Sequence, residues 1–399
     1  MSTPLPLEGI RVLDLATVLA APVSTTLLGD FGADVVKIEE PGRGDFTRGR
    51  ASEPGGRSPQ WIQEGRNKRS VTLNLREPEG QKILKELIPQ FDIIVTNYRP
   101  PTLERWGLGP EALRELHPRG IFVIITGYGL TGPYADRGAF DRIASAFSGL
   151  TYVSGEAERD PVRSGFSVID FMAAYLAAYA AMVALWDRDK RTGQGQIIDL
   201  ALYEAGFRAA EDALIDYSVT GDVRERMGNR NPYIVPASDF TTADGRRVSM
   251  HAGTDQLFAK LCTVMGAPEL ADDERFATRG ARAAHQAELY CLINEWMATQ
   301  NADEVVQTLN DASVPSAPVM TIADIASDPH YRQRGTIVDM QDEEFGNITT
   351  VAPMPIFSET PGRIRSLGPA LGAHTDTILS DQLGLTQERI DELRSKGIV

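Results

Sequence analysis

The stretch IRVLDLATVLAAPVSTTLLGDFGADVVKIE, Ile10 to Glu39, decides the fold. Its ends, IRVLDL (Ile10 to Leu15) and ADVVKIE (Ala33 to Glu39), are short runs rich in β-branched residues. Between them APVSTTLLGDFG has helical spacing and stops on glycine, so the unit reads strand–helix–strand. The alternation repeats in SVTLNL (Ser70 to Leu75), the amphipathic EGQKILKELIPQ and DIIVTN (Asp92 to Asn97), and PEALRELHP leads into IFVIITGYG. Strands alternating with helices through about residue 130 predict an α/β fold, a Rossmann-like parallel sheet with right-handed crossovers.

Beyond that the pattern changes. From Phe171 to Trp186 there is no charged side chain; at 16 residues the run falls short of a bilayer span and predicts a buried core helix. GQIIDLALYEAGFRAAEDALIDY turns from strand to helix, and the polar, broken RERMGNRNPYIVPASDF reads as a crossing into a second domain. Thr241 to Met250, with ADGRR in its middle, predicts a hairpin, and helices from about Asp255 to Leu309 complete a smaller α+β unit. From Val314 the chain turns irregular and proline-rich, then closes with the helical LTQERIDELRSKGIV.

The 399 residues suggest two or three domains, with 40 Lys+Arg against 55 Asp+Glu and a net charge of -15. That acidity argues against nucleic acid or an anionic membrane as partner, so any anionic ligand needs a local basic cluster. Cys262 and Cys291 build neither a zinc site nor a disulfide framework, and the N-terminal stretch lacks signal-peptide features; a reduced cytoplasm is the expected setting.

GYGLTG (Gly127 to Gly132) fits a dinucleotide fingerprint by spacing, but Pro133 follows where a helix should open. A loop with several positive φ values is the better reading. The first turn, DLATVLAAP, has no glycine for close approach to a pyrophosphate. Arg66, Lys68, Arg69, Arg76, Arg99, Arg105 and Arg137 fall near strand ends and predict a cluster around phosphates. The five histidines show no metal spacing, and no G-x-S-x-G elbow is present.

Asp170 stands directly before the apolar run. One reading makes it the N-cap of a buried helix. The other makes it a nucleophile, held ionised by the helix N-terminus and shielded from bulk water.

With these blocks in view, the chain resembles the class III CoA-transferases, the formyl-CoA and carnitine CoA-transferase family. The resemblance spans nearly the whole length. It is carried by LEGIRVLDLATVLAAP, FGADVVKIEEPGRGD, RNKRSVTLNL, NYRPPTLERWGLG, ITGYGLTGPYADRGAFDRIA, IDFMAAYLAAYAAMVAL, RTGQGQIIDLALYEA and RSLGPALGAHTDTIL. It implies an interlocked homodimer, with a large Rossmann-like domain from residues 1–226 and 317–399 and a small α+β domain at 227–316. The family's catalytic aspartate falls on Asp170. Its CoA-contacting positions fall on Val18, Leu73, Asn74, Leu75, Arg76, Asn97, Tyr98, Arg99, Arg105, Arg137 and Asp141.

The implied substrates are acyl-CoA thioesters and small carboxylic acids, with no permanently bound cofactor and no metal, nucleic acid or membrane. The family's glycine-rich covering loop is absent; HAGTDQLFAK stands in the comparable region. The related racemases carry a histidine where this chain has Phe140. Racemase chemistry and non-catalytic acyl-CoA binding are the alternative readings. The segments AEDALIDYSVTGDVRERMGNRNPYIVPASDFTTADG and SLGPALGAHT look like the branch that uses succinyl-CoA and dicarboxylates, with Arg224, Arg226 or Arg230 pairing a distal carboxylate.

Overall fold

The structure is a computed structural model that describes residues 4–49, 57–231 and 233–399. Six parallel strands form the central sheet: β1 (Arg11–Leu15), β2 (Asp34–Glu39), β3 (Lys68–Thr72), β4 (Ile93–Thr96), β5 (Ile121–Thr126) and β6 (Ile197–Ala201). Their order is β3-β2-β1-β4-β5-β6, the doubly wound arrangement the sequence predicts. β5 is buried at every position and apolar up to its last residue, Thr126, because helices cover both faces of the sheet. One face packs under the Pro78–Leu87, Pro110–Leu116, Thr375–Leu383 and Gln387–Ser395 helices. The Ala20–Asp30 and Val168–Asp187 helices cover the other.

The Val168–Asp187 helix corrects one expectation. Ala173, Ala174, Ala177, Ala181 and Ala184 form a buried stripe of small side chains, which lets the helix lie close to its neighbours. Its other face is in the open, with Tyr179 68% and Trp186 64% exposed beside Tyr175 and Val183. By length and composition alone this helix, with the turn that follows it, is apolar enough to cross a membrane. Its alanine stripe instead belongs to the core over the sheet.

The chain divides into two compact units. One comprises Met1–Leu150, Arg163–Leu214 and Pro329–Val399; the other comprises Thr151–Val162 and Ile215–Asp328. The second unit therefore begins and ends about twelve residues outside the 227–316 span expected for the insert, and Thr151–Val162 joins it. Within it β7 (Ala237–Thr241) and β8 (Arg247–His251) form the predicted hairpin, and β9 (Ser316–Pro318) pairs antiparallel with β8. Helices Asp255–Val264, Gln286–Met297 and Ala302–Asp311 complete its core.

The return segment holds a second hairpin, β10 (Ile337–Asp342) with β11 (Gly346–Val351), in a stretch read from sequence as irregular. It then runs along the open edge of β3. His374 accepts from the Ser70 N–H at 3.2 Å and donates its own to the Ser70 carbonyl at 2.9 Å, while Thr375 Oγ1 accepts from Thr72. An edge strand is thereby sealed by chain more than 300 residues later in sequence.

Candidate active site

The strand order reverses between β1 and β4, so the crevice beyond their carboxyl ends is where such a sheet takes ligands. Two short turns form its floor. Asn97, just past β4, accepts the Thr17 N–H at 3.0 Å and donates to the Thr17 carbonyl at 2.6 Å. The next residue, Val18, has φ +73°, a left-handed conformation that a β-branched side chain adopts only under constraint.

Buried charge supplies more of that constraint. Lys37 on β2 donates to the Ala16 carbonyl at 2.8 Å, and Lys68 on β3 to the Pro22 carbonyl at 2.6 Å. Both lysines pair with Asp14 on β1, and Lys37 also with Asp45. Burial works against the Lys37 charge, but Asp14, Asp45 and Glu39 outweigh it and push its pKa up. For Lys68 burial wins and the pKa is lowered.

Two clefts adjoin at Thr17. One, of about 260 Å³, is lined by Leu73, Asn74, Leu75, Arg76, Tyr98 and Trp106. Tyr98 and Trp106 meet edge to face at 4.8 Å there. The other, of about 400 Å³, is lined by Val18, Asn97, Arg99, Arg137, Phe140 and Asp170, among others. The expected CoA-contacting positions thus gather on one rim, except Arg105 and Asp141. Arg105 is exposed and bonds Thr102 at 3.3 Å. Sequence reading missed Trp106, although it adjoins Arg105 in the quoted block, and it missed Thr17 and Leu19.

The basic cluster is smaller than expected. Arg66 is 6% exposed and grips Asp30 through two bonds, at 2.6 and 2.9 Å. Lys68 serves Asp14, and Arg69 pairs with Asp34. These three sit at or before the amino end of β3, away from the crevice, and their charge is spent on structural partners. Arg76, Arg99 and Arg137 remain exposed on the rim. Arg137 lies over the Tyr134 ring at 3.8 Å, and Arg76 reaches Glu40 at 3.2 Å. The GYGLTG loop has the positive φ values expected, at Gly129 and Gly132, and Asp199 on β6 accepts the Leu130 N–H. Gly127 is needed for close packing, since a Cβ there would meet that of Ala139 at 2.6 Å.

Asp170 is not an N-cap. Ser167 holds that position, and Asp170 is the third residue of the helix. The first-turn amides of Ile169 and Asp170 are taken instead by Asp141 Oδ2, at 2.9 and 3.4 Å. The Asp170 side chain is left 8% exposed, and among the described residues no hydrogen bond reaches its carboxylate. Burial, with the Asp141 charge beside it, pushes its pKa up to about 7. The expectation of a firmly ionised carboxylate is corrected accordingly: the helix amides that would favour charge are already serving another carboxylate. Among the described residues no group of three or more His, Cys, Asp or Glu could hold a metal ion.

The parallel sheet carries at its switch point a crevice rimmed by Arg76, Arg99 and Arg137, a setting chemically suited to an anionic ligand. The family model for CoA-transferase family III matches residues 7–375. The chain is 43% identical over 404 residues to the succinyl-CoA–L-malate CoA-transferase β subunit of Chloroflexus aurantiacus, covering 100% of this chain and 99% of that protein. It is 42% identical to the succinyl-CoA–D-citramalate CoA-transferase of the same organism, over 99% and 98% of the two chains. It is 35% identical to human succinyl-CoA:glutarate CoA-transferase, over 99% and 90%. A solved CAIB/BAIF family protein from Brucella suis superposes with a TM-score of 0.85 at 33% identity, covering 95% of this chain and 100% of that one. The chain belongs to CoA-transferase family III and is a CoA-transferase.

Proposed function

We propose that this enzyme moves CoA from succinyl-CoA to a small dicarboxylic acid such as malate, citramalate, itaconate or mesaconate, with Asp170 as the covalent nucleophile. The observation that carries this reading is the buried, unbonded Asp170 carboxylate in the cavity that also presents Arg99 and Arg137. The relatives named above supply the substrate class.

An Asp170 oxygen attacks the thioester carbonyl, the C–S bond breaks, and CoA leaves as thiolate from a mixed anhydride. The thiolate attacks the aspartyl carbonyl, expelling the donor carboxylate and leaving an aspartyl-CoA thioester. The acceptor carboxylate then repeats both steps in reverse. A carboxyl with a pKa of about 7 is a stronger nucleophile than an ordinary one. It also approaches a thiol's pKa of about 8.5, so neither leaving group dominates and exchange runs in both directions. Apolar Leu19, Phe140 and Leu202 line the cavity and limit hydrolysis of the anhydride.

The cleft of Leu73 to Arg76, Tyr98 and Trp106 takes the nucleotide end of CoA, and Arg76, Arg99 and Arg137 meet its phosphates. Arg105, exposed beside Trp106, stays a candidate for the 3′-phosphate. Asp141 acts through the helix it caps rather than on CoA. Of the arginines assigned to a distal carboxylate, Arg224 lies against Tyr233 and Arg226 against Tyr152, each within 6 Å. Arg230 lines an open polar cavity with Asn229, Ser249 and His251, and donates to the Met227 carbonyl at 3.3 Å. Racemase chemistry finds no histidine among the residues lining the Asp170 cavity; Phe140, 69% exposed, occupies the position in question.

The protein works as an interlocked homodimer in the cytoplasm, its large domain built from both chain ends around the inserted one. The exposed apolar face of Tyr175, Tyr179, Val183 and Trp186 supports self-association, as does the Ala213–Thr220 helix, which has no buried residue. The deciding experiment is mass-resolved chromatography of CoA esters formed from succinyl-CoA and a pool of dicarboxylates, with Asp170→Ala in parallel. A new ester that disappears in the variant is expected. No new ester with the wild-type chain sinks the substrate assignment, and an equal yield from the variant sinks the role of Asp170.

A further inference from the structure

The Ala20–Asp30 helix begins without a cap. Leu19 is its N-cap residue and offers no side-chain bond, no acid stands in its first turn, and the first intrahelical amide is that of Val23, bonded to the Leu19 carbonyl. Pro22 has no N–H, so the orphan donors are the amides of Leu19, Ala20 and Ala21. Such donors are ordinarily met by a side chain, by water or by a ligand. Here Thr17, Val18, Leu19 and Ala20 line the same cavity as Asp170.

Asp170 is the second observation, and an independent one. It is 92% buried by its 8% exposure, no described residue bonds its carboxylate, and it faces the cavity that this helix opens onto. A carboxylate without partners and two residues with orphan amides, Leu19 and Ala20, line one cavity. The turn between them is held open at a cost: Val18 carries φ +73°, and Asn97 uses both ends of its amide on Thr17.

We propose that the amide end of the Ala20–Asp30 helix is the oxyanion site of the acyl transfer, and that Asn97 is the positioning residue that holds it. The proposal rests on Asp170 being the nucleophile. As the Asp170 oxygen bonds to the thioester carbon, the carbonyl π pair moves onto oxygen. The helix amides and the positive end of the dipole meet that charge. When the pair returns, the C–S bond breaks and CoA thiolate departs, so no proton is needed at the carbonyl. Each tetrahedral species of the exchange, whether anhydride or thioester is being made, passes through the same cradle.

Proline tests this, because in a first helical turn it deletes one N–H at little structural cost. Ala20→Pro, at the first helical position, should lower kcat by roughly 10²–10³-fold. CoA affinity, measured by calorimetry, should stay within about twofold, the ordinary scatter for a contact left in place. A folded variant with wild-type kcat overturns the proposal, while absence of transfer in the wild-type chain overturns the functional reading instead. Should that variant not fold, hydrogen–deuterium exchange of residues 16–23 in the wild-type chain decides. Slower exchange upon adding succinyl-CoA is expected, and unchanged exchange counts against the cradle. Asn97→Ala should reduce kcat and leave CoA affinity alone; weaker CoA binding at unchanged kcat would make Asn97 a ligand contact.

Discussion

Asp141 Oδ2 accepts the backbone N–H of Ile169 at 2.9 Å and of Asp170 at 3.4 Å, so the carboxylate that caps the Val168–Asp187 helix also opposes ionisation of its third residue. One group both places that carboxylate and adds to the rise in proton affinity that burial begins. Asp141→Asn separates the two effects, since the amide oxygen can still cap. The pH profile of kcat/KM for the acyl-CoA donor should rise around pH 7 in the wild-type chain and at lower pH in the variant. An unshifted midpoint would show that burial alone raises the Asp170 pKa. The loss of a charged cap should cost about 1 kcal/mol in denaturant unfolding.

The raised pKa also makes a stability prediction. Unfolded, Asp170 titrates near 4; folded, it keeps its proton to about pH 7. Between those values the folded chain binds the extra proton, so stability falls as pH rises and stays reduced above pH 7. Asp170→Asn removes that slope. Relative to wild type it should gain on the order of 2–4 kcal/mol by pH 7.5 and nothing at pH 4. Melting temperatures across pH 4–8 check it, and parallel curves would contradict it.

The arginines should separate by environment. Arg99→Ala and Arg76→Ala, on the exposed rim, should raise the KM for acyl-CoA several-fold with little change in melting temperature. Arg66→Ala leaves Asp30 buried and unpaired, so it should cost about 3–5 kcal/mol of stability instead. Steady-state kinetics and thermal unfolding of the three variants decide.

Gly80 offers a test, from outside it, of the cleft proposed to hold the nucleotide. A Cβ at Gly80 would lie 2.1 Å from the Asn74 carbonyl oxygen, so Gly80→Ala must push the Leu73–Arg76 turn. The acyl-CoA KM should increase by about tenfold or less, a loss of roughly 1 kcal/mol of binding. An unchanged KM would remove that turn from the CoA site.

The sheet was legible because most of its strands are short, largely apolar runs between helical spacings, though β3, KRSVT, begins two residues before the Ser70 start read from sequence. Asp170 was legible as a lone acid before an apolar helix. Its true setting was not, because the cap comes from Asp141, 28 residues earlier, and sequence order gives no sign of that bond. The misassigned Arg66, Lys68 and Arg69 show the same limit. Their charge is balanced by Asp30, Asp14 and Asp34, which lie 35–54 residues away in sequence. The outer face of the Val168–Asp187 helix was lost for another reason: tyrosine, valine and tryptophan read as core whether or not anything covers them.

The bonds from His374 and Thr375 to Ser70 and Thr72, and from the Asn74 N–H to the Ile398 carbonyl, set an order of events during synthesis. The strands that floor the crevice leave the ribosome first, yet the Leu73–Arg76 turn is completed only when residues some 300 positions later arrive. Until then β3 is an open edge on a partly formed sheet. A nascent chain of this enzyme is therefore exposed to strand pairing with its neighbours for most of its translation. The same wiring means that a chain nicked within the second unit would keep its two large-unit pieces together.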